Sequence, residues 1–500
     1  MGDLYKLQNG TDIRGIAYEN DSKEVNLTVE EVRKIAKAFH IWLKEKTKKD
    51  KVTVAIGTDS RITGSQFRST VIETLTNDDC NVIDCEIATT PAMFMTTIMD
   101  GYNSDGSIMI TASHLPYYYN GLKFFTESGG LEKTDIKEML DIAVKNDSVD
   151  YEEVNKKGEV IVKNLIEDYS NLLIDKIRRG VNSSKNYEKP FSGLKILVDA
   201  GNGAGGFFAE RVLHILGADT TGSQFLNPDG MFPNHIPNPE NKEAMESICK
   251  AVLDNKSDLG IIFDTDVDRA AIVGKNGKPI NKNALIAVIS SILLEEHPKT
   301  AIVTDSITSE GLAKFINELQ GRHHRFKRGY KNVINEAIRL NSEGEECHLA
   351  IETSGHAALK ENYFLDDGAY LIAKILIKVA KLSLEGKAIE ELIENLEEAQ
   401  EEKEVRIGIN KEDFRPYAED ILKDLDSHVK SIDGWSVAPN NFEGIRVNCD
   451  ESNGDGWFLL RISLHEPLLA LNIESNKIGG AEQIYSKLKL FLEKYDLKGL

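Results

Sequence analysis

An α/β fold is what this sequence predicts, on three observations. Short apolar runs read as buried strands: Ser107–Ile110, Leu194–Val198 and Leu259–Phe263. They alternate with stretches of helical period such as Val29–Leu43, the pattern that packs helices on a sheet. Polar or Gly-rich loops recur where the strands end, the places where α/β proteins carry their chemistry.

In chain order, Asn9–Gly15 is a polar, Gly-flanked turn carrying Arg14. Thr28 with Glu31 three residues on is a capping-box pattern that starts the helix Val29–Leu43. Strand Val52–Ile56, helix Ser65–Leu75, strand Val82–Ile87 and the strand before Ser113 follow. Ile161–Ile177 reads as helix, and the polar stretch Arg178–Lys189 as the first domain boundary. A second unit opens with strand Leu194–Asp199, a Gly-rich turn (201–206) into a helix, and a proline-punctuated loop. That turn lacks the lysine and hydroxyl of a P-loop, so it reads as packing and turn chemistry. Strand Leu259–Phe263 and helix Ala284–Leu294 close the unit. A third unit comprises strand Ala301–Thr304, helix Glu310–Leu319 begun by Ser309, a basic stretch (323–331) and strand Cys347–Ile351. Asp366-Asp367-Gly368 begins the helix Ala369–Leu384, and the Glu-rich Ala388–Glu404 reads as a helical linker. Strands Gly456–Ser463 and Leu468–Ile473 and helix Ala481–Leu492 finish the chain.

The 500 residues suggest about three domains, with room for four. A 41% hydrophobic content fills several cores, and no run has membrane-spanning length. The start of the sequence is unlike a signal peptide, and the five cysteines are scattered without CxxC spacing; a cytoplasmic protein is expected. A net charge of −21 argues against nucleic acid as partner, so an anionic substrate must be gripped by locally gathered Arg and Lys.

Four loops carry chemistry. Thr111-Ala112-Ser113-His114-Leu115-Pro116 sets a hydroxyl beside a histidine on a Pro-terminated loop, a placement that suits a nucleophile, although Ser and Thr also simply fill turns. Asp264-Thr265-Asp266-Val267-Asp268-Arg269 brings alternating carboxylates to a strand end, the hard oxygen donors of Mg²⁺ or Ca²⁺. It is not an EF-hand, since Arg269 stands where the invariant Gly belongs. Glu352 and Ser354 suit vicinal sugar hydroxyls, or belong to a satisfied turn with a structural His356. Arg461, Ser463 and His465 alternate and suit a phosphate, or form the polar face of an edge strand. The basic stretch 323–331 is either a local anion site or a solvated loop.

Together the four loops, in this order, resemble those of the α-D-phosphohexomutase superfamily, nearest to its phosphoglucomutase/phosphomannomutase type. Family members carry a Thr-Ala-Ser-His-x-Pro loop, an Asp-x-Asp-x-Asp-Arg loop and a Glu-x-Ser-Gly-His loop, all present here, and a C-terminal phosphate loop present in altered form. The resemblance implies four domains around a central cleft: three similar α/β domains with mixed sheets (1–185, 186–295, 296–398) and a smaller α+β domain (399–500). It implies a monomer or weak homodimer acting on a small-molecule sugar phosphate, away from membranes. It also implies Mg²⁺ held by Ser113, Asp264, Asp266 and Asp268, with Ser113 as a phosphoserine surrounded by Arg14, His114, Lys123 and Arg269. Lys331, Glu352, Ser354, His356, Arg461, Ser463 and His465 would bind substrate, and glucose 1,6-bisphosphate or mannose 1,6-bisphosphate would serve as activator. The reaction implied is interconversion of hexose 1-phosphate and hexose 6-phosphate.

Two departures stand out. The family's phosphate loop has Thr where this chain has His465 and a further Arg where it has Ala470; Arg461, His465, Lys331 and Arg446 are the expected compensation. Ile351 replaces the Gly that usually precedes the sugar loop. Two alternatives remain at this level: a phosphoglucosamine mutase, and an aspartyl phosphatase with Asp264 as nucleophile.

Overall fold

The computed structural model describes residues 3–21, 23–145, 157–463 and 466–500. The chain divides into two compact units, Met1–Asn281 with Ser354–Glu391, and Lys282–Thr353 with Leu392–Leu500.

The first unit holds two sheets. In the larger, Thr53–Thr58 lies parallel between Asn81–Ile87 and Gly106–Ile110. Tyr119–Thr126 pairs antiparallel with Gly106–Ile110, and Asp12–Ile16 antiparallel with Tyr119–Thr126. The sheet is therefore mixed, and Arg14, Ser113 and Lys123 come from neighbouring strands or their ends. The Thr28/Glu31 capping box is formed and starts the helix Val29–Thr47, whose buried face (Val32, Ile35, Phe39, Leu43) closes the core, with Phe39 and Phe124 ring centroids 4.9 Å apart.

In the smaller sheet Leu259–Phe263 runs parallel to Ile196–Asp199 and antiparallel to Ala270–Gly274, so residues 264–269 are a hairpin loop. The Gly-rich turn packs on that loop: the backbone N–H of Ala204 donates to Thr265 O at 2.8 Å, and a Cβ on Gly203 would meet the Thr265 backbone. From the other side Gly368 N–H donates to Val267 O, at the head of the helix Gly368–Leu384 capped by Asp367. That helix is buried along most of its length and packs on Leu165–Val181.

In the second unit, Arg322–Arg325, Ala301–Thr304 and Cys347–Ile351 form parallel pairs in that order. An antiparallel sheet follows, ordered Trp435–Val437, Ile445–Cys449, Gly456–Ile462, Leu468–Ser475, Glu401–Ile409, Leu497–Lys498. Helices Phe414–Val429 and Gly480–Leu492 share its core.

Several expectations are corrected. The stretch read as one helix from Ile161 is an exposed strand, Val160–Val162, followed by a helix from Leu165 that Asn164 caps. The Glu-rich linker is not helical beyond a short 3₁₀ turn, and its end is the strand Glu401–Ile409. Cross-strand pairing with Leu468–Ser475 outweighs the helix propensity of its glutamates. The strand carrying Arg461 is central rather than an edge, paired on both sides. Within the basic stretch, 323–325 belong to the strand Arg322–Arg325 and not to a loop; Arg325 donates to Ser309 O at 2.7 Å and His324 Nε2 lies 2.8 Å from Glu336. No helix among the described residues is long and apolar enough to cross a membrane.

Candidate active site

Ser113 is buried and adopts φ +51°, a left-handed conformation unfavourable for a residue with a Cβ. What holds it there is Arg61, which the sequence reading passes over. The Arg61 guanidinium, itself buried, donates to the carbonyls of Pro116 (2.9 Å), Tyr119 (2.8 Å), Leu115 (2.6 Å) and Ser113. Its charge is balanced by buried Asp59, 3.3 Å away. Asp59 accepts from Thr111 Oγ1 at 2.6 Å, and Thr111 Oγ1 accepts the Ser113 N–H at 2.8 Å. The available signal was a charged turn at a strand end, Thr58-Asp59-Ser60-Arg61, but its partners are more than fifty residues away.

The Ser113 hydroxyl donates to Asp264 Oδ2 at 3.2 Å and lies 3.3 Å from His114 Nδ1. Asp264, Asp266 and Asp268 each present a carboxylate oxygen, these atoms lying within 4.8 Å of one another. Lys123 Nζ donates to Asp266 Oδ2 at 3.0 Å and to Asp268 Oδ2 at 2.5 Å, and Thr90 Oγ1 donates to Asp266. Thr90 is a second residue that sequence reasoning missed. Asp266 Oδ1 and Asp268 Oδ1 are buried with no hydrogen-bond partner. Buried carboxylate oxygens left so are costly, and three hard oxygen donors around one point are the set a divalent cation takes. The residues fit such an ion.

Electrostatics follow from burial. Asp264 is raised well above the usual carboxylate range, by burial first and then by the charges of Asp268 and Asp266. Burial works against the charged forms of Lys123 and Asp268 as well, but their attraction wins: Lys123 is raised well above its ordinary value and Asp268 is lowered. Burial, with Arg269 and Arg14 nearby, pushes His114 down to about 2, so its imidazole is neutral.

Arg269 follows the aspartates. Its backbone N–H donates to Asp264 Oδ1, its Nε donates to His356 Nε2 at 2.8 Å, and Glu240 lies 3.4 Å from Nη1. His356 Nδ1 is bonded to Asp366, another partner the sequence reading leaves out. His356 therefore positions Arg269 in this state. Arg14 pairs with Asp12 at 2.7 Å. Ser354 Oγ is buried without a hydrogen-bond partner.

In the second unit, Glu352 Oε1 accepts the Gly329 N–H at 2.6 Å, and Lys331 lies in the first turn of the helix Tyr330–Ser342. Arg461, largely buried, is 3.9 Å from Glu443, whose carboxylate also accepts from Ser306 Oγ (2.6 Å) and the Arg328 N–H (3.1 Å). Glu443 has no motif to betray it. Arg446 is committed elsewhere: it donates to Ser306 O, pairs with Glu310 at 2.8 Å and stacks 3.6 Å from the Trp457 ring. Ser463 is half-buried after the central strand, and His465 lies outside the described residues.

A serine hydroxyl set beside three carboxylates that fit a divalent ion is an arrangement suited to phosphoryl transfer. Comparison with known proteins is consistent throughout. Residues 6–150, 171–277 and 281–399 match, in turn, alpha/beta/alpha domains I, II and III of phosphoglucomutase/phosphomannomutase. The chain belongs to the phosphoglucomutase/phosphomannomutase family, intramolecular phosphotransferases of the isomerase class. It is 29% identical over 499 residues to a phosphoglucomutase/phosphomannomutase of Thermococcus kodakarensis, covering 99% of this chain and 100% of that one. It is 28% identical to a phosphomannomutase/phosphoglucomutase of Pseudomonas syringae, covering 97% and 94%. A phosphoglucomutase/phosphomannomutase family protein of Burkholderia thailandensis has the same fold, with TM-score 0.79, 24% identity, and 99% and 98% of the two chains covered.

Proposed function

We propose that this protein is a Mg²⁺-dependent hexose-phosphate mutase that interconverts hexose 1-phosphate and hexose 6-phosphate of glucose, mannose or both. The observation that carries the proposal is Ser113 Oγ at 3.2 Å from Asp264, beside orphaned oxygens of Asp266 and Asp268.

The working enzyme carries a phosphoryl group on Ser113. A free sugar hydroxyl attacks that phosphorus; the bond to Ser113 Oγ breaks as the new P–O bond forms, giving a bisphosphorylated sugar. His114 and Lys123 are the candidate carriers of the hydroxyl proton. His114, pushed down by burial and the nearby arginines while Ser113 is unmodified, gains proton affinity from an anionic phosphoryl group on Ser113, whose Oγ is 3.3 Å from its Nδ1. The intermediate reorients and returns its other phosphoryl group to Ser113, which regenerates the enzyme. Asp264, Asp266 and Asp268 are the residues that would hold Mg²⁺ together with a phosphoryl oxygen. When bound, the ion would neutralise charge on the group being transferred.

Around this exchange Arg14 and Arg269 supply fixed positive charge. Glu352 and Ser354 are assigned to sugar hydroxyls, with Arg461, Ser463, His465 and Lys331 assigned to the non-reacting phosphate, and His356 to the support of Arg269. Glucose 1,6-bisphosphate or mannose 1,6-bisphosphate would charge the serine. The enzyme is expected in the cytoplasm, as a monomer or weak homodimer.

A panel of glucose, mannose and glucosamine 1-phosphates, each assayed for the 6-phosphate with Mg²⁺ and the matching bisphosphate, tests this reading. Turnover of glucose or mannose 1-phosphate supports it. Turnover confined to the amino sugar replaces it with phosphoglucosamine mutase, and release of inorganic phosphate that survives Ser113→Ala replaces it with an Asp264 phosphatase.

A further inference from the structure

One cluster of ligating side chains lies apart from the aspartate site and plays no part in the proposed reaction. His297 follows the C-terminus of the helix Lys282–Glu296, while Glu346 and His348 flank Cys347 where the strand Cys347–Ile351 begins. The pairing with Ala301–Thr304 skips His348, and the Glu346 and His348 side chains meet there. One ligand atom from each of the three lies within 4.8 Å of the other two. The imidazoles of His297 and His348 stack with centroids 3.6 Å apart and planes 12° from parallel, and Glu346 Oε1 is 2.9 Å from His348 Nε2.

The backbone around these residues is tied down. The His297 N–H donates to Leu293 O at 2.7 Å, and the Thr300 N–H donates back to His297 O at 3.3 Å. Thr300 Oγ1 then accepts the His348 N–H at 3.1 Å and donates to Glu346 O at 3.2 Å. Thr300 thus ties the helix end to the strand start, through its N–H on one side and its hydroxyl on the other. The site sits at the negative end of a helix, which favours a cation. It is also reachable, since the Glu346 side chain is 61% exposed.

We propose that His297, Glu346 and His348 form a transition-metal site of the class that takes Zn²⁺. Two imidazole nitrogens and one carboxylate oxygen, with a remaining position open to water, are a zinc donor set and a poor one for Mg²⁺. To reach one ion, one imidazole turns about its Cβ–Cγ bond out of the present stack, because the in-plane lone pairs of parallel rings do not meet. A separation of 2.9 Å between Glu346 Oε1 and His348 Nε2 is close to the bite of two ligands on one ion, which takes the place of the proton they share. Bound metal joins the end of one element to the start of another within the second unit, and so acts as a clip on that unit.

The test uses the full chain, stripped with chelator and returned to Mg²⁺ in excess so that the aspartate site is occupied. Zn²⁺ is then titrated by calorimetry and by thermal midpoint, on wild type, His297→Ala, His348→Ala and Glu346→Gln. The expected result is one Zn²⁺ bound with proton release and a raised midpoint in wild type. Affinity should fall more than about tenfold in each variant, the least that loss even of an outer partner costs a metal site. The exposed Glu346→Gln keeps the test valid should a histidine variant fold poorly. Zinc uptake equal in wild type and Glu346→Gln, or no uptake by wild type at micromolar zinc, overturns the proposal.

Discussion

Lys123 Nζ lies 2.5 Å from Asp268 Oδ2 and so draws on the same carboxylates that fit a divalent ion. Lysine and metal therefore compete in part for one store of negative charge, and the first prediction follows from that. Lys123→Gln removes a buried partner and should destabilise the metal-free protein by about 3–5 kcal/mol. Mg²⁺ should restore more of that loss than it adds to wild type, because the freed carboxylates attract it more strongly. Thermal midpoints of both proteins with and without Mg²⁺ read this out; an equal shift in both contradicts it.

Arg61 is predicted to matter as much as the residues of the recognised motifs. Arg61→Ala removes the guanidinium that offsets the burial of Asp59, whose carboxyl burial already raises to about 6, and frees the carbonyls that fix Ser113. A loss of about 3–5 kcal/mol is expected, with mutase activity lost together with the Ser113 geometry. Arg61→Lys should not recover activity, since one ammonium cannot serve several diverging carbonyls. Near wild-type turnover in Arg61→Lys would refute this role.

Gly203→Ala tests the packing of the Gly-rich turn on the metal loop. The added Cβ would lie 2.7 Å from Thr265 O and 2.8 Å from Thr265 Cα, both backbone atoms that cannot swing aside. A cost of about 1–3 kcal/mol is expected, and weaker Mg²⁺ activation with it. Unchanged Mg²⁺ dependence would show that the two loops are not mechanically linked.

Stability should carry a pH signature from Glu474. Burial raises this carboxyl to about 7, against the help of the Trp457 indole N–H at 2.8 Å. The folded state then binds the proton more tightly than the unfolded state, whose carboxyl titrates near 4.5. Its contribution is complete below pH 4.5 and is lost as pH rises through 7. Glu474→Gln keeps the indole partner and removes the charge, so it should gain on wild type on the order of 3 kcal/mol between pH 4.5 and pH 8. Urea midpoints of the two proteins across that range check the sign; a gap that stays constant with pH would contradict it.

These cases also show what could be read from the chain and what could not. Leu259–Phe263 was legible because every residue is buried, so a purely apolar run met a purely apolar environment. The helix at Glu310 was legible because Ser309 caps it locally, accepting the Leu312 N–H at 2.9 Å. Val160–Val162 was not: an exposed three-residue apolar strand ahead of Asn164 merges with the period of the helix it precedes. Glu401–Ile409 was hidden by helix-favouring glutamates, since its partner strand lies more than sixty residues on. At the candidate site, Ser113 and the three aspartates sit in contiguous motifs, whereas Arg61, Thr90, Asp366 and Glu443 act through contacts that only the fold creates.

The phosphoserine itself is settled by intact mass, on wild type and Ser113→Ala, before and after incubation with glucose 1,6-bisphosphate and Mg²⁺. Wild type should carry one phosphoryl group, either as isolated or after incubation, and Ser113→Ala none. Wild type that takes up nothing, and held nothing at the start, would contradict a phosphoryl carrier at Ser113 and turn attention to Asp264.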